Sequence, residues 1–152
     1  MNKIITLTSD YMPDLPDAQI RYYQKFLSNK EANHFFDAFI SKIPWREDQV
    51  KVFGKMYAQP RLTSLHSNKS TTYTYAGLTL KPQRMTTELL SLLERINSVC
   101  NHEFNCVLLN LYRDGSDSNG WHADNEKELG HHPQIASISL GSWFTAFSWI
   151  FP

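Results

Sequence analysis

The chain has 152 residues, enough for one domain with a buried core, and its 41% hydrophobic and 20% charged content is typical of a globular protein. The charges of fifteen basic and fifteen acidic side chains cancel, which argues against a protein that covers nucleic acid nonspecifically through a net positive charge. No apolar run is long enough to span a bilayer, the first residues do not resemble a signal peptide, and the two cysteines do not make a disulfide framework. We therefore expect a monomer in a reducing compartment, either the cytoplasm or, in a eukaryote, the nucleus.

The first part of the chain is predicted to be helical. A short helix is expected over about residues 17–27, after an irregular start. A stronger helix follows, because Ser28 and Glu31 have the spacing of a capping box and phenylalanines recur on one face as far as Pro44. We expect these phenylalanines to pack in the core and Trp45 to close the end of the helix.

Two segments with strand propensity come next, in a part of the chain that has no acidic residue between Asp48 and Glu88. Residues 49–57 are predicted to form a strand with a bulge or turn at Gly54. Residues 71–75 alternate, which places two tyrosines on one face. Either the basic and aromatic residues here meet a phosphate backbone and stack on bases, or they are a solvated face with core aromatics. The basic residues are Lys51, Lys55, Arg61, Lys69, Lys81 and Arg84.

A second helix and a central strand are predicted in the following segment. Residues 87–99 have a broad apolar face, so this helix should back the sheet. Residues 104–112 alternate and are predicted to be a strand. Its period of two places Asn110 and Tyr112 on one face, as polar tips on an otherwise apolar strand. They would suit the wall of a polar pocket, although polar residues of an edge strand would give the same pattern.

A possible metal-binding triplet follows two predicted turns. In an extended segment, His122 and Asp124 point the same way. One imidazole and one carboxylate, two residues apart, would supply two arms of the 2-His-1-carboxylate triad that holds Fe(II) with open positions. The alternative is a solvated loop, because most such triplets bind no metal. A further strand is predicted over residues 135–140.

The whole stretch is more specific than the triplet. N-L-Y-R-D-G-x-D-x-x-G-W-H-x-D-x-E-x-E-L-G, followed by I-A-S-I-S-L-G, resembles the AlkB family of Fe(II)/2-oxoglutarate dioxygenases over about residues 50–141. By that resemblance His122 and Asp124 are metal ligands, and Asn110 and Tyr112 contact 2-oxoglutarate. The implied fold is α+β, with N-terminal helices and one central helix packed on an antiparallel sheet that begins a double-stranded β-helix, or jelly roll.

The resemblance also implies a nucleic-acid substrate. The V-x-V-F-G-K segment matches a hairpin in DNA-acting relatives, where the position of Phe53 can wedge into the duplex; a buried strand phenylalanine is the alternative. The Y-x-Y-x-G segment places Tyr73 and Tyr75 at the base pocket. Asn125 stands where the family often has a second acidic residue, with Glu126 beside it. The implied activity is oxidative dealkylation of alkylated DNA or RNA, with Fe(II), 2-oxoglutarate and O₂.

The last residues depart from the family pattern. The family continues with a second metal-binding histidine and two arginines, whereas no arginine here follows Arg113. We therefore predict an N-terminal helical segment over 1–48, a partial dioxygenase core over 49–141 and an aromatic tail over 142–152, which a frameshift or premature stop would produce. The tail would either fill the place of missing strands or promote aggregation.

Three functions remain open from the sequence. The first is a dealkylating dioxygenase that the loss of the distal residues impairs. The second is a non-catalytic relic that still binds nucleic acid. The third is an AlkB-like dioxygenase for a protein or lipid substrate.

Overall fold

The computed structural model describes residues 4–5, 20–23, 25–52, 54–68, 73–75, 78–120, 133–141 and 146–151. None of the helices described in these ranges is long and apolar enough to cross a membrane. The elements in chain order are β1 (Ile4–Ile5), β2 (Tyr22–Tyr23), α1 (Asn29–Lys42), β3 (Gln49–Val52), β4 (Lys55–Ala58), β5 (Leu62–Ser67), β6 (Tyr73–Tyr75), β7 (Leu78–Leu80), α2 (Thr87–Cys100), β8 (Cys106–Leu111), β9 (Gln134–Ser139) and β10 (Ala146–Phe151).

Helix α1 begins with the predicted capping box. The backbone N–H of Glu31 donates to Ser28 Oγ at 3.3 Å, and the N–H of Ser28 donates to the Glu31 carboxylate at 2.8 Å. These bonds to Ser28, helped by Arg95, lower the pKa of Glu31 to about 2. The helix ends before Pro44, and the indole N–H of Trp45 donates to the Phe39 carbonyl at 3.2 Å. The predicted helix, its apolar face and its closure by Trp45 are confirmed.

The helix predicted over residues 17–27 is wrong wherever the structure describes that segment. Strand β2 lies there instead, and it pairs antiparallel with β1 through Ile4↔Tyr23 and Ile5↔Tyr22. Lys25 has a φ of 57°, which interrupts any regular helix before α1. Adjacent aromatic residues favour a strand once a partner strand is available, so the tertiary pairing overrides the weak helical pattern.

Helix α2 also follows the prediction. Thr86 caps it by accepting a hydrogen bond from the N–H of Leu89 at 3.2 Å, and Asn101 ends it in the left-handed region with φ of 51°. An ion pair of 2.5 Å between Lys42 and Glu88 joins the two helices. One core cluster connects both helices to the strands. It contains Phe35, Phe39, Ile43, Leu65, Leu89, Leu92, Leu93, Ile96, Phe104, Cys106, Val107, Leu108, Leu109 and Leu140.

The largest described sheet has four antiparallel strands in the order β5-β8-β10-β9. Three two-stranded pairs, β1-β2, β3-β4 and β6-β7, complete the described strands. The α+β class is confirmed, with α1 as the described N-terminal helix. The described strands are short and antiparallel, as in the predicted jelly roll, but a complete jelly roll goes beyond them and stays a prediction.

The described part of the predicted aromatic tail is a strand of this sheet. Strand β10 pairs with β9 from Ala146↔Ser139 to Phe151↔Gln134, and with β8 at Ser148↔Leu108. It therefore covers an edge of β8 that would otherwise expose unpaired backbone groups. Of the two predicted roles of the tail, this geometry corresponds to the filling of a gap.

A buried histidine, His66, belongs to β5 and is 1% exposed. Its Nδ1 lies 2.7 Å from the carbonyl oxygen of Arg84, so Nδ1 carries the hydrogen and donates. Its Nε2 lies 3.0 Å from Ser64 Oγ and accepts from that hydroxyl. Burial lowers the pKa of His66, although the bond to Arg84 raises it. The folded chain therefore holds this side chain in its neutral form near pH 7.

We expect the free energy of unfolding to fall as the pH is lowered below 6.5, the ordinary pKa of histidine. The folded-state pKa of His66 is lowered, so the unfolded chain binds more protons between the two pKa values. The stabilisation is complete above the unfolded-state pKa and is lost toward the folded-state pKa, with a slope of at most about 1.4 kcal/mol per pH unit. Urea unfolding at several pH values measures this dependence of the free energy of unfolding on pH. The same slope in His66→Gln would contradict this assignment.

Candidate functional site

The candidate site begins on β8, an interior strand of the four-stranded sheet. The alternative that Asn110 and Tyr112 are polar residues of an edge strand is therefore wrong. Asn110 is only 4% exposed, and its Oδ1 has no hydrogen-bond partner in the described part of the chain. Tyr112 is half-buried just beyond the end of the strand. Asn110 thus places an unused polar group inside the fold.

The neighbouring strand does not satisfy Asn110. Thr63 of β5 lies opposite Asn110 in the register, but its hydroxyl donates to the Asp48 carboxylate at 2.9 Å. A buried carbonyl oxygen without a partner costs about 1–3 kcal/mol. Rotation of the amide by 180° exchanges this acceptor for an NH₂ donor in the same place. The side chain is therefore suited to a ligand that brings its own polar group, and a carboxylate such as those of 2-oxoglutarate fits the donor.

The loop after β8 is held by a network of ion pairs and hydrogen bonds. The Arg113 guanidinium donates to Asp117 through Nε at 2.7 Å and Nη2 at 2.9 Å, and to Glu47 through Nη1 at 3.0 Å. The bond to Asp117, with that to Glu47, raises the pKa of Arg113, and the guanidinium in turn lowers the pKa of Asp117. Ser116 donates through both its N–H and its hydroxyl to Asp114. This network fixes the shape of the loop.

The end of the same loop is tied back to the residues that precede β5. The N–H of Ser118 donates to the carbonyl of Pro60 at 2.8 Å, and Arg61 Nη1 donates to Asn119 Oδ1 at 2.6 Å. Arg61 is only 4% exposed. The expectation that Arg61 belongs to an exposed basic face is therefore wrong, because its guanidinium lies inside the fold and bonds the loop.

Five of the predicted site residues lie outside the described residues: Phe53, His122, Asp124, Asn125 and Glu126. Their proposed roles remain predictions. Within the described ranges, no group of three or more His, Cys, Asp or Glu residues is arranged to hold a metal ion. Tyr73 and Tyr75 occupy alternate positions of β6, which pairs with β7 from Tyr73↔Leu80 to Tyr75↔Leu78.

A described hairpin, β3-β4, presents apolar and basic side chains to solvent. Gly54 makes its turn with φ of 82°, a conformation that side chains other than glycine rarely adopt. Of the two predicted roles of Gly54, the turn is confirmed. On β4, Met56 is 56% exposed, Tyr57 is 52% exposed and Lys55 is also exposed. Tyr57 thus belongs to the surface and not to the core.

Sequence reasoning missed the pair Arg61 and Asn119. Neither residue stands out by itself, because an arginine after a proline and an asparagine before a glycine are both ordinary loop residues. The sequence carries only an indirect signal: Arg61 immediately follows a proline, and Asn119 immediately precedes a glycine, at one of the predicted turns. Their separation of 58 positions hides the contact from any local pattern.

Comparison with known proteins gives consistent matches. The family model of the 2OG-Fe(II) oxygenase superfamily matches residues 19–145. The mouse protein named alpha-ketoglutarate-dependent dioxygenase alkB homolog 3 is 35% identical over 126 residues, which are 82% of this chain and 43% of that relative. The human protein named DNA oxidative demethylase ALKBH2 is 33% identical over 123 residues, 79% of this chain and 47% of that relative. The chain therefore spans less than half the length of these relatives.

Proposed function

The chain belongs to the 2OG-Fe(II) oxygenase superfamily, within which its relatives are AlkB homologues, and we propose that it serves the oxidative dealkylation of N-alkylated bases in DNA or RNA. The observation that carries this proposal is the buried Asn110 amide, whose Oδ1 lacks a partner among the described residues. A ligand that completes its hydrogen bonds would account for such a costly group. The names of the relatives supply the class of reaction and of substrate.

Asn110 and Tyr112 are proposed to bind 2-oxoglutarate, and His122 and Asp124 to bind Fe(II). Fe(II), 2-oxoglutarate and O₂ would supply the oxidation that hydroxylates the N-alkyl carbon, so that the alkyl group leaves as an aldehyde. The Asn110 amide would donate to a carboxylate of 2-oxoglutarate and fix its orientation. The interior position of β8 holds that amide rigidly, and the buried Leu108, two residues before it on the same face of the strand, helps to exclude water from it.

The β3-β4 hairpin and β6 are proposed to meet the nucleic acid. Exposed Lys55 would contact a phosphate and exposed Tyr57 would stack on a base or sugar. Phe53, which precedes Gly54 in the sequence, would support a flipped-out base by entering its place in the duplex. Tyr73 and Tyr75 would stack on the flipped base. Lys81 and Arg84 are also exposed and would add basic contacts.

The recognition of the base is proposed to involve Asn125 and Glu126. The amide of Asn125 would hydrogen-bond a base edge, but it cannot offset the positive charge of an N-methylated adenine or cytosine. The carboxylate of Glu126, the next residue in the sequence, carries a negative charge that would offset it. We therefore propose that Glu126 contributes more than Asn125 to any preference for a cationic lesion.

Anaerobic titration of the 152-residue chain with Fe(II) and 2-oxoglutarate tests the proposal. We expect a visible metal-to-ligand charge-transfer band, and we expect the His122→Ala variant to lack it because one ligand is gone. Thermal unfolding of both proteins without metal serves as the control for folding.

Two results would contradict the proposal in different ways. A chain that shows no band, but binds an oligonucleotide with an affinity that falls steeply with salt, would be a nucleic-acid-binding relic. A chain that shows the band but binds no oligonucleotide at low salt would be a dioxygenase for another substrate.

A further inference from the structure

We propose that Arg61 and Asn119 are positioning residues for the predicted metal-binding segment: they fix the point from which the chain proceeds to His122 and Asp124. The proposal rests on the proposed function for the role of that segment. It concerns a hydrogen bond between two described side chains, 2.6 Å from Arg61 Nη1 to Asn119 Oδ1. A bond between residues 58 positions apart joins two distant parts of the chain through their side chains.

Both ends of the loop after β8 are fixed to the same short segment. At the start of the loop, Leu111 pairs with Leu62 in the β5-β8 register. At its end, the N–H of Ser118 donates to the carbonyl of Pro60, and Asn119 accepts from Arg61. Residues 60–62 therefore contact both ends of a loop that runs from position 111 to position 119.

The interior of the loop is rigid as well. Arg113 forms a two-pronged ion pair with Asp117, and the backbone N–H of Arg113 also donates to that carboxylate at 2.8 Å. A planar guanidinium that bonds a carboxylate through two nitrogens fixes orientation as well as distance. The described contacts therefore hold this loop from Leu111 to Asn119.

Arg61 and Asn119, joined by their hydrogen bond, form what we call the clamp, and they differ in burial. Arg61 is 4% exposed, so its side chain has little freedom, whereas Asn119 is exposed and can be replaced without opening a cavity. His122 is three residues after Asn119, so covalent geometry keeps its Cα within about 10 Å of the Asn119 Cα. Loss of the bond between Arg61 and Asn119 would leave the bond from Ser118 to Pro60 as the nearer attachment, one residue further from His122, and so enlarge the volume that His122 can explore.

The arrangement joins the two halves of the proposed site. Asn110 and Tyr112, the proposed 2-oxoglutarate residues, precede the loop, and His122 and Asp124 follow it. A clamp that sets the separation of the two ends of the loop would therefore set the position of the metal ligands relative to the co-substrate. Metal sites lose affinity when the groups that orient their ligands are removed, typically 10–100-fold.

Three single variants test the clamp. Asn119→Ala removes the acceptor, and Asn119→Asp retains an acceptor oxygen and strengthens the pair with Arg61. Ser116→Ala is a matched control in the same loop, because it loses the hydroxyl bond to Asp114 but keeps the backbone N–H bond to the same carboxylate. The affinity for Fe(II) in the presence of 2-oxoglutarate is read anaerobically from the charge-transfer band. Amide hydrogen exchange of residues 117–128 is measured on the metal-free chain, and thermal unfolding reports on global stability.

We expect Asn119→Ala to weaken Fe(II) binding by about tenfold or more, and to speed amide exchange in residues 117–128 but not in α1 or α2. In Asn119→Asp and in Ser116→Ala, both the Fe(II) affinity and the rate of amide exchange should match those of the wild type. Unchanged exchange and unchanged metal affinity in Asn119→Ala would overturn the inference, as would an equal effect of Ser116→Ala. If the wild-type chain binds no Fe(II), the proposed function fails, and the exchange measurement still decides whether the clamp fixes this segment.

Discussion

Replacement of Phe39 by alanine should lower the free energy of unfolding by about 3–5 kcal/mol, the usual cost of removing a buried aromatic ring. Phe39 is 1% exposed and belongs to the core cluster that joins α1 and α2 to the strands. Its ring lies 5.9 Å from the ring of Phe35. Since domains of this size are stable by about 5–15 kcal/mol, one substitution would remove a large share of the total.

Ile40 provides a matched control for Phe39 on the same helix. Ile40 is the next residue in α1, but it is 42% exposed. Its replacement by alanine keeps the helix propensity high and removes little buried area, so we expect a change of less than about 1 kcal/mol. Urea unfolding at low temperature, followed by circular dichroism, measures both variants. Equal effects of Phe39→Ala and Ile40→Ala would show that α1 does not anchor the core as described.

The two helices were predictable because their signals are local. The capping box of Ser28 and Glu31, the threonine cap at Thr86 and apolar residues at helical spacing all depend on neighbours within a few positions. The helix predicted over residues 17–27 failed because the described part of that segment is decided by a partner strand at Ile4–Ile5. Strand pairing over such distances leaves no trace in local periodicity.

The site was predictable to a different extent at each residue. Asn110 was found through alternation on its strand and through the resemblance to AlkB, but its lack of a partner follows only from three-dimensional packing. The absence of acidic residues around Arg61 in the sequence predicts that it belongs to an exposed basic face. The structure buries it, since a residue of the distant loop supplies its acceptor. A charge pattern in the sequence therefore predicts the sign of the charge on a surface better than it predicts which single residues belong to that surface.

Asn110 should show opposite effects on stability and on ligand binding. Its side chain is 4% exposed and its Oδ1 is unpaired within the described residues, so Asn110→Leu replaces an unsatisfied polar group on an apolar strand with an apolar group that has the same branching at Cγ. We expect the free energy of unfolding to stay the same or to rise by about 1 kcal/mol. We also expect the affinity for 2-oxoglutarate to fall by roughly tenfold to a hundredfold, because a hydrogen bond to a charged group contributes about 1.5–3 kcal/mol.

Asn97 makes the contrast decisive, because it is an asparagine whose amide is hydrogen-bonded through both its oxygen and its nitrogen. It donates to the carbonyl of Phe104 at 3.1 Å and accepts from the N–H of Phe104 at 2.8 Å. Asn97→Leu removes both of these hydrogen bonds, so the free energy of unfolding should fall by about 1–3 kcal/mol while the affinity of the folded chain for 2-oxoglutarate is unchanged. Calorimetric titration with 2-oxoglutarate in anaerobic buffer with Fe(II), together with urea unfolding, separates the two. If Asn110→Leu loses stability as Asn97→Leu does, or if it binds 2-oxoglutarate as the wild type does, Asn110 is a structural residue and not part of a ligand site.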